Sequence, residues 1–157
     1  MRMINLTPIL GAVLIFASCK KEIAMENQGQ TTANIVAPGG NGFNAKVDGN
    51  LVTGAMQGII APESDNLVIN TTDDDGSISI ILPKDVKPGT YDLQYLGAYT
   101  ATVRKNNSSL VAASGKVTVL ERNDSQIKGT FAFAAEDVDG VSKANVEAGS
   151  FAANYTK

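Results

Sequence analysis

Histidine and tryptophan are absent from these 157 residues, and cysteine occurs once. Without histidine, neither Ser-His-Asp nor Cys-His nucleophilic machinery can be assembled, and the commonest transition-metal ligand is gone. A lone cysteine cannot staple a secreted domain, which needs paired thiols. Lys and Arg number 13 against 16 Asp and Glu, a formal net charge of −3. With the signs scattered, there is no basic patch for nucleic acid or anionic lipid, so no nucleic-acid partner is expected. Aromatic side chains are few, four Tyr and five Phe, which leaves a core of Val, Ile, Leu and Ala. No apolar run reaches the roughly 20 residues that a membrane-crossing helix requires.

What the chain does have begins at its N-terminus. Arg2 supplies a short positive start, Leu6 to Ala17 is an apolar run interrupted only by Thr7 and Pro8, and small residues lead into Cys19. That order describes a secretory signal rather than a spanning helix. The ending Phe16-Ala17-Ser18-Cys19 resembles a bacterial lipobox, in which the cysteine is lipidated and becomes the first mature residue. Phe16 departs from the usual leucine, and the competing reading is an ordinary cleaved signal that ends near a cysteine. Residues 1–18 are therefore read as a lipoprotein signal peptide. The partner this implies is the membrane, reached through lipid on Cys19, where more than one acyl chain gives a lasting anchor. Lys20 follows Cys19 where some bacteria place an inner-membrane retention aspartate, so the outer membrane of the cell envelope is expected, facing either side. Residues 19–41 read as lipidated cysteine plus flexible tether: a polar stretch from Glu26 to Thr32, then Pro38-Gly39-Gly40-Asn41-Gly42.

Residues 42–157 carry short apolar runs broken by turn chemistry every eight to twelve residues, the pattern of an all-β domain. Phe43 to Val47 alternates, and Asp48-Gly49-Asn50 suits a tight hairpin. Leu51 to Ala61 pairs back, with a bulge or bend at Gly54 and Gly58. Ser77 to Leu82 puts Ile78, Ile80 and Leu82 on one face; Pro83 to Gly89 is the longest connection, with room for one helical turn. Thr90 to Gln94 and Tyr99 to Lys105 flank a corner at Leu96-Gly97, and Gly115 to Arg122 and Ile127 to Ala135 form a strong pair. Gly149 to Tyr155 ends the chain, and Gly149-Ser150-Phe151-Ala152 echoes Gly129-Thr130-Phe131-Ala132, which would let the two pair as neighbours. About nine strands without helical periodicity imply a single antiparallel β-sandwich, with a small β-barrel as the alternative.

The ordered set Phe43-Asn44-Ala45-Lys46-Val47-Asp48-Gly49, Pro88-Gly89-Thr90-Tyr91, Gly115 to Val119, Lys128 to Phe133 and Gly149-Ser150-Phe151 resembles a family of small Bacteroidota lipoproteins of unknown function. The resemblance implies an extracytoplasmic β-rich domain and brings no activity or site residues with it.

Within the domain, the candidate ligand-binding residues are Tyr91, Tyr95 and Tyr99, a possible stacking platform for a sugar. On an unbroken strand they would share a face with Leu93, Ala101 and Val103, which favours a core or rim position. Asp73-Asp74-Asp75-Gly76 and Asp137-Val138-Asp139-Gly140 invite a calcium reading, but neither has the downstream bidentate glutamate that makes such loops specific, so turn-forming roles are preferred. Arg104, Lys105, Arg122 and Lys128 read as a solvated face or as edge-strand protection. No catalytic set, metal site or cofactor is indicated. The expected function is a non-enzymatic envelope lipoprotein serving as a structural or protein-interaction module, with an envelope protein as partner. The alternative is an accessory lipoprotein that binds a glycan or small ligand.

Overall fold

The computed structural model describes residues 40–71 and 77–156. Cys19, most of the tether and the Asp73–Asp75 turn lie outside the described residues. The described chain is all-β, as expected, with ten strands rather than nine. It forms two runs of neighbouring strands that share one apolar interior.

The first run is a meander of β3 (Met56–Ile60), β4 (Asn66–Thr71), β5 (Ile78–Pro83) and β7 (Thr100–Lys105). The second has six strands in the order β2 (Asn50–Gly54), β1 (Gly42–Val47), β10 (Lys143–Thr156), β9 (Gln126–Glu136), β8 (Ser108–Arg122) and β6 (Gly89–Asp92). Strict alternation explains which side faces in: Leu67 and Ile69, then Ile78, Ile80 and Leu82, are at most 1% exposed and belong to the same core cluster as Val117, Ile127 and Phe151. These runs are the layers of the sandwich. They are sewn together at two places, where β7 pairs with the start of β8, and where β10 pairs with β3 at Asn154–Thr156. The β10–β3 contact is parallel; every other pairing among the described residues is antiparallel.

The two sewing strands are long, 15 residues in β8 and 14 in β10, because each serves both layers. They bend at bulges. In β10 the register against both neighbours skips at Ala148, which takes φ +50°. In β8 it skips at Ala113 and again at Leu120.

The sequence echo becomes a reciprocal contact. Gly149 lies opposite Phe131, and Gly129 lies opposite Phe151. A Cβ on Gly129 would fall 2.3 Å from the Thr118 carbonyl oxygen and 2.7 Å from the Phe151 ring; one on Gly149 would fall 2.4 Å from the Phe131 ring. Each phenylalanine thus covers the glycine of the other strand, and the missing side chains are what let the rings lie flat across the ladder.

Other expectations are refined. The Leu51–Ala61 strand is two strands: it breaks at Ala55, so that β2 stays with β1 while β3 crosses to β4 and β10. Gly58 is no bulge but a close approach, where a Cβ would sit 2.7 Å from that of Tyr155. The Pro83–Gly89 connection is a turn without a helix. Asp48 and Gly49, at φ +50° and +81°, make the tight hairpin between β1 and β2 that the sequence called for.

Candidate binding surface

Among the described residues the buried apolar side chains form one core cluster, and two surfaces outside it offer candidate contacts. Tyr91 and Tyr99 come together at one of them. Their rings stack with centroids 4.3 Å apart and planes 11° apart. Both are half-buried against the core, and the Tyr91 hydroxyl donates to the Lys87 carbonyl at 2.8 Å. Burial raises the Tyr99 phenol above its usual range, helped by Tyr91 and Asp85. These two rings bridge the gap between β6 and β7, which touch successive parts of the same edge of β8. Each occupies a face of the other, so the pair is built as a plug.

Tyr95 stands apart from them, 57% exposed. The strand stops after Leu93, and the chain turns through Leu96 at φ +55° before re-entering as β7. The parity that would put three tyrosines on one face is lost in that turn. Tyr95 instead lines a shallow cleft of about 250 Å³ with Val111, Ala113, Glu136, Asp137 and Val138. The bulge at Ala113 opens it. Val138 is 89% exposed, so exposed Tyr95 and Val138 flank two carboxylates in the lining; Leu96, the residue after Tyr95, is 84% exposed. Glu136 pairs with Lys143 at 3.6 Å. Asp137 accepts from the backbone N–H of Val141 at 2.8 Å through Oδ1 and of Ser142 at 3.0 Å through Oδ2. These backbone bonds, Ser142 first, hold its carboxyl below the usual range. Both oxygens of Asp137 are engaged in shaping the turn before β10. Among the described residues no three potential ligands gather in a cation-holding group.

The second surface is one that sequence reasoning missed. Arg122, read as part of a solvated face or as edge-strand protection, is half-buried at the end of β8. Its Nη1 donates to the Val86 carbonyl at 2.6 Å, its Nη2 to the Lys84 carbonyl, and its Nε to the Tyr155 hydroxyl at 3.3 Å. The guanidinium also lies 5.5 Å from the Tyr155 ring centre, and that hydroxyl donates to the Asn123 carbonyl. This clasp pulls the Pro83–Pro88 connection over the end of the sandwich and seats Val86 in the core at 5% exposure. A polar hollow of about 480 Å³ remains around it, lined by Lys87, Asp124 and Tyr155 among others. Nothing in the local sequence marks the clasp, because its partners are backbone carbonyls some 36 residues away.

The other cations stay on the surface. Lys105 bonds Asp48 at 2.6 Å and the Lys143 carbonyl at 3.0 Å, Lys84 bonds Asp65 at 2.5 Å, Lys116 bonds Asp92 at 2.6 Å, and Lys128 bonds Glu121 at 3.0 Å. Lys105, with the Asn145 N–H, lowers the Asp48 carboxyl below its usual range.

Residues 40–153, from the entry to β1 through most of β10, match the family described as Domain of unknown function (DUF6252). No curated protein and no solved structure matches the chain. With the match spanning all ten strands, the chain belongs to the DUF6252 family.

Proposed function

We propose that this chain is a lipid-anchored protein of the bacterial cell envelope, held at the outer membrane through Cys19, whose β domain works as a non-catalytic interaction or structural module. The observation that carries the interaction reading is the apolar exposure at one cleft: Tyr95 and Val138, which line it, are 57% and 89% exposed, and Leu96, next in the chain to Tyr95, is 84% exposed. Apolar exposure of this kind fits contact with another macromolecule. The carboxylates described above pair with lysines or cap turns, an arrangement that suits a scaffold better than acid–base chemistry. The signal-like N-terminus and its cysteine support the anchor.

Photo-crosslinking from position 95 on intact cells tests the interaction, with captured material identified by mass spectrometry. Recovery of one envelope protein in high yield is expected; recovery of nothing from this cleft overturns the reading. For the anchor, Cys19→Ala should give soluble or unprocessed protein, and membrane retention of that variant would sink the lipid assignment. The same cleft supports a second reading, in which Tyr95 stacks on a sugar while Glu136 accepts its hydroxyls. A glycan array that saturates with wild-type protein and is silent with Tyr95→Ala would favour it.

A further inference from the structure

The six-stranded layer ends in two edges, and among the described residues only one of them is guarded. At the β6 edge, the Thr90 and Thr118 hydroxyls bond at 2.9 Å, Lys116 pairs with Asp92, Tyr91 is tied to the Lys87 carbonyl and stacked on Tyr99, and Pro88 precedes the strand. Of these, the short strand, its charged Asp92 and the proline at its start are features that discourage a second chain from adding on. At the other edge lies β2, Asn50-Leu51-Val52-Thr53-Gly54, with no charge, no proline and no bulge against β1. Among the described residues it has no neighbour beyond β1, and no side-chain hydrogen bond, ion pair or ring contact involves it. Leu51 is 70% exposed.

The hairpin fixes which backbone groups are open. In a two-residue hairpin closed by Val47 and Asn50, the closing pair exchanges hydrogen bonds and the pairs alternate from there. Asn50, Val52 and Gly54 therefore face β1, while the N–H and C=O groups of Leu51 and Thr53 face away from it.

We propose that β2 is a self-association edge, at which a second copy of this chain adds antiparallel about a twofold axis through Val52. In that register Leu51 lies opposite the partner's Thr53 and Thr53 opposite the partner's Leu51. All the outward N–H and C=O groups then find partners in reciprocal pairs, as a self-complementary twofold contact requires. Val52, already packed against the edge of the core, meets the partner's Val52 in the close, non-hydrogen-bonded position, with Cβ atoms about 4.5–5.5 Å apart. Because β2 carries no charge, the pairing sets no like charges against each other, and the layer runs on unbroken into the second copy. A five-residue seam is small beside the roughly 1,200–2,000 Å² of a stable interface, so the contact is weak and reversible and forms where the chain is concentrated. The proposal deepens the interaction reading above by naming a partner, and it uses a different surface from the Tyr95 cleft.

The test is symmetric disulfide trapping of the full-length protein in cells. With Cys19 taken up by lipid, Val52→Cys supplies the only free thiol. Under mild oxidation it should run at twice the monomer mass on a non-reducing gel, while Thr90→Cys on the guarded β6 edge should remain monomeric. Two substitutions should abolish trapping in the Val52→Cys background. Leu51→Lys, at an exposed position, sets charge on the edge. Thr53→Pro removes an outward N–H that β1 does not use, a change edge strands tolerate. Circular dichroism and unchanged melting of both confirm the fold. A monomeric Val52→Cys protein overturns the proposal, as does equal trapping through Thr90→Cys or trapping that survives Leu51→Lys. Capture of a different protein at position 52 overturns the self-pairing while leaving the interaction reading standing; loss of capture at position 95 alone does the reverse.

Discussion

β6 and β2 terminate the same layer, and both are short strands reached through a corner, yet the protein treats them differently. Around β6 the chain spends a stacked tyrosine pair, an ion pair, a hydroxyl pair and the Arg122 clasp. Around β2, among the described residues, only the hairpin turn is fastened, where Asp48 bonds Lys105 and accepts from the Asn145 N–H at 2.8 Å. The reason lies in what each edge covers. Beside β6 the layers are open toward the core, and Val86, Leu93, Tyr91 and Tyr99 must be held in place to close it. β2 stands one strand beyond β1 and buries little, so folding does not require its edge to be tied down. An edge that costs nothing to leave bare is one that remains available for contact.

Perturbations of graded size sharpen this comparison. The largest effect should come from the seam that supports both edges. Gly129→Ala places a methyl against the Thr118 carbonyl and the Phe151 ring and should cost about 3 kcal/mol, read as a lowered urea midpoint. Next is the guarded edge. Arg122→Ala strands the Lys84 and Val86 carbonyls and should cost about 2–3 kcal/mol, the scale of hydrogen bonds to a charged group. Hydrogen exchange should then rise first in Lys84–Asp92.

The turn of the bare edge should matter less. Asp48→Asn is expected to cost about 0.5 kcal/mol at neutral pH, as for a partly exposed ion pair. Because the folded carboxyl titrates below its ordinary value of 3.8, its stabilisation is complete above that value and is lost as pH falls through the lower folded value. The gap between wild type and Asp48→Asn in urea titrations should therefore close below about pH 4. Asp65 and Asp137 are lowered as well, so the variant should keep some acid sensitivity. Smallest of all, Leu51→Ala should shift the midpoint by less than about 0.5 kcal/mol, since the side chain is 70% exposed. A loss comparable to that of Arg122→Ala would mean β2 is part of the folding core and would erase the distinction between the edges.

Local chemistry made much of this architecture readable. Alternation in Ser77 to Leu82 and Ile127 to Ala135 gave both the strands and their buried faces, because side-chain direction in a strand follows from parity alone. Asp48-Gly49 announced its turn, and both residues adopt positive φ. The Gly-Thr-Phe-Ala and Gly-Ser-Phe-Ala echo correctly suggested neighbouring strands. The tyrosines mark where this reasoning stops. Parity carries no information across a break: the corner expected at Leu96-Gly97 is there, with Leu96 at φ +55°, and spacing alone does not say where Tyr95 points once it separates from Tyr91 and Tyr99. The start of β8 at Ser108, seven residues ahead of the expected Gly115, was hidden because Ser108 and Ser109 directly follow Asn106-Asn107 and carry turn-forming side chains, whereas their strand state comes from pairing with β7.

By itself, then, the sequence determined an all-β domain, its principal strands, most of its turns and the identity of its core, because these depend on interactions between residues close along the chain. Tertiary structure alone decided that β3 leaves β2 to pair in parallel with β10, that Arg122 is a clasp, that Tyr95 borders a cleft, and that, among the described residues, one edge is guarded and the other has no neighbour. Each of those outcomes depends on groups brought together from distant parts of the chain. Where they meet is set by how two bent strands divide themselves between the layers, and no short stretch of residues encodes that division.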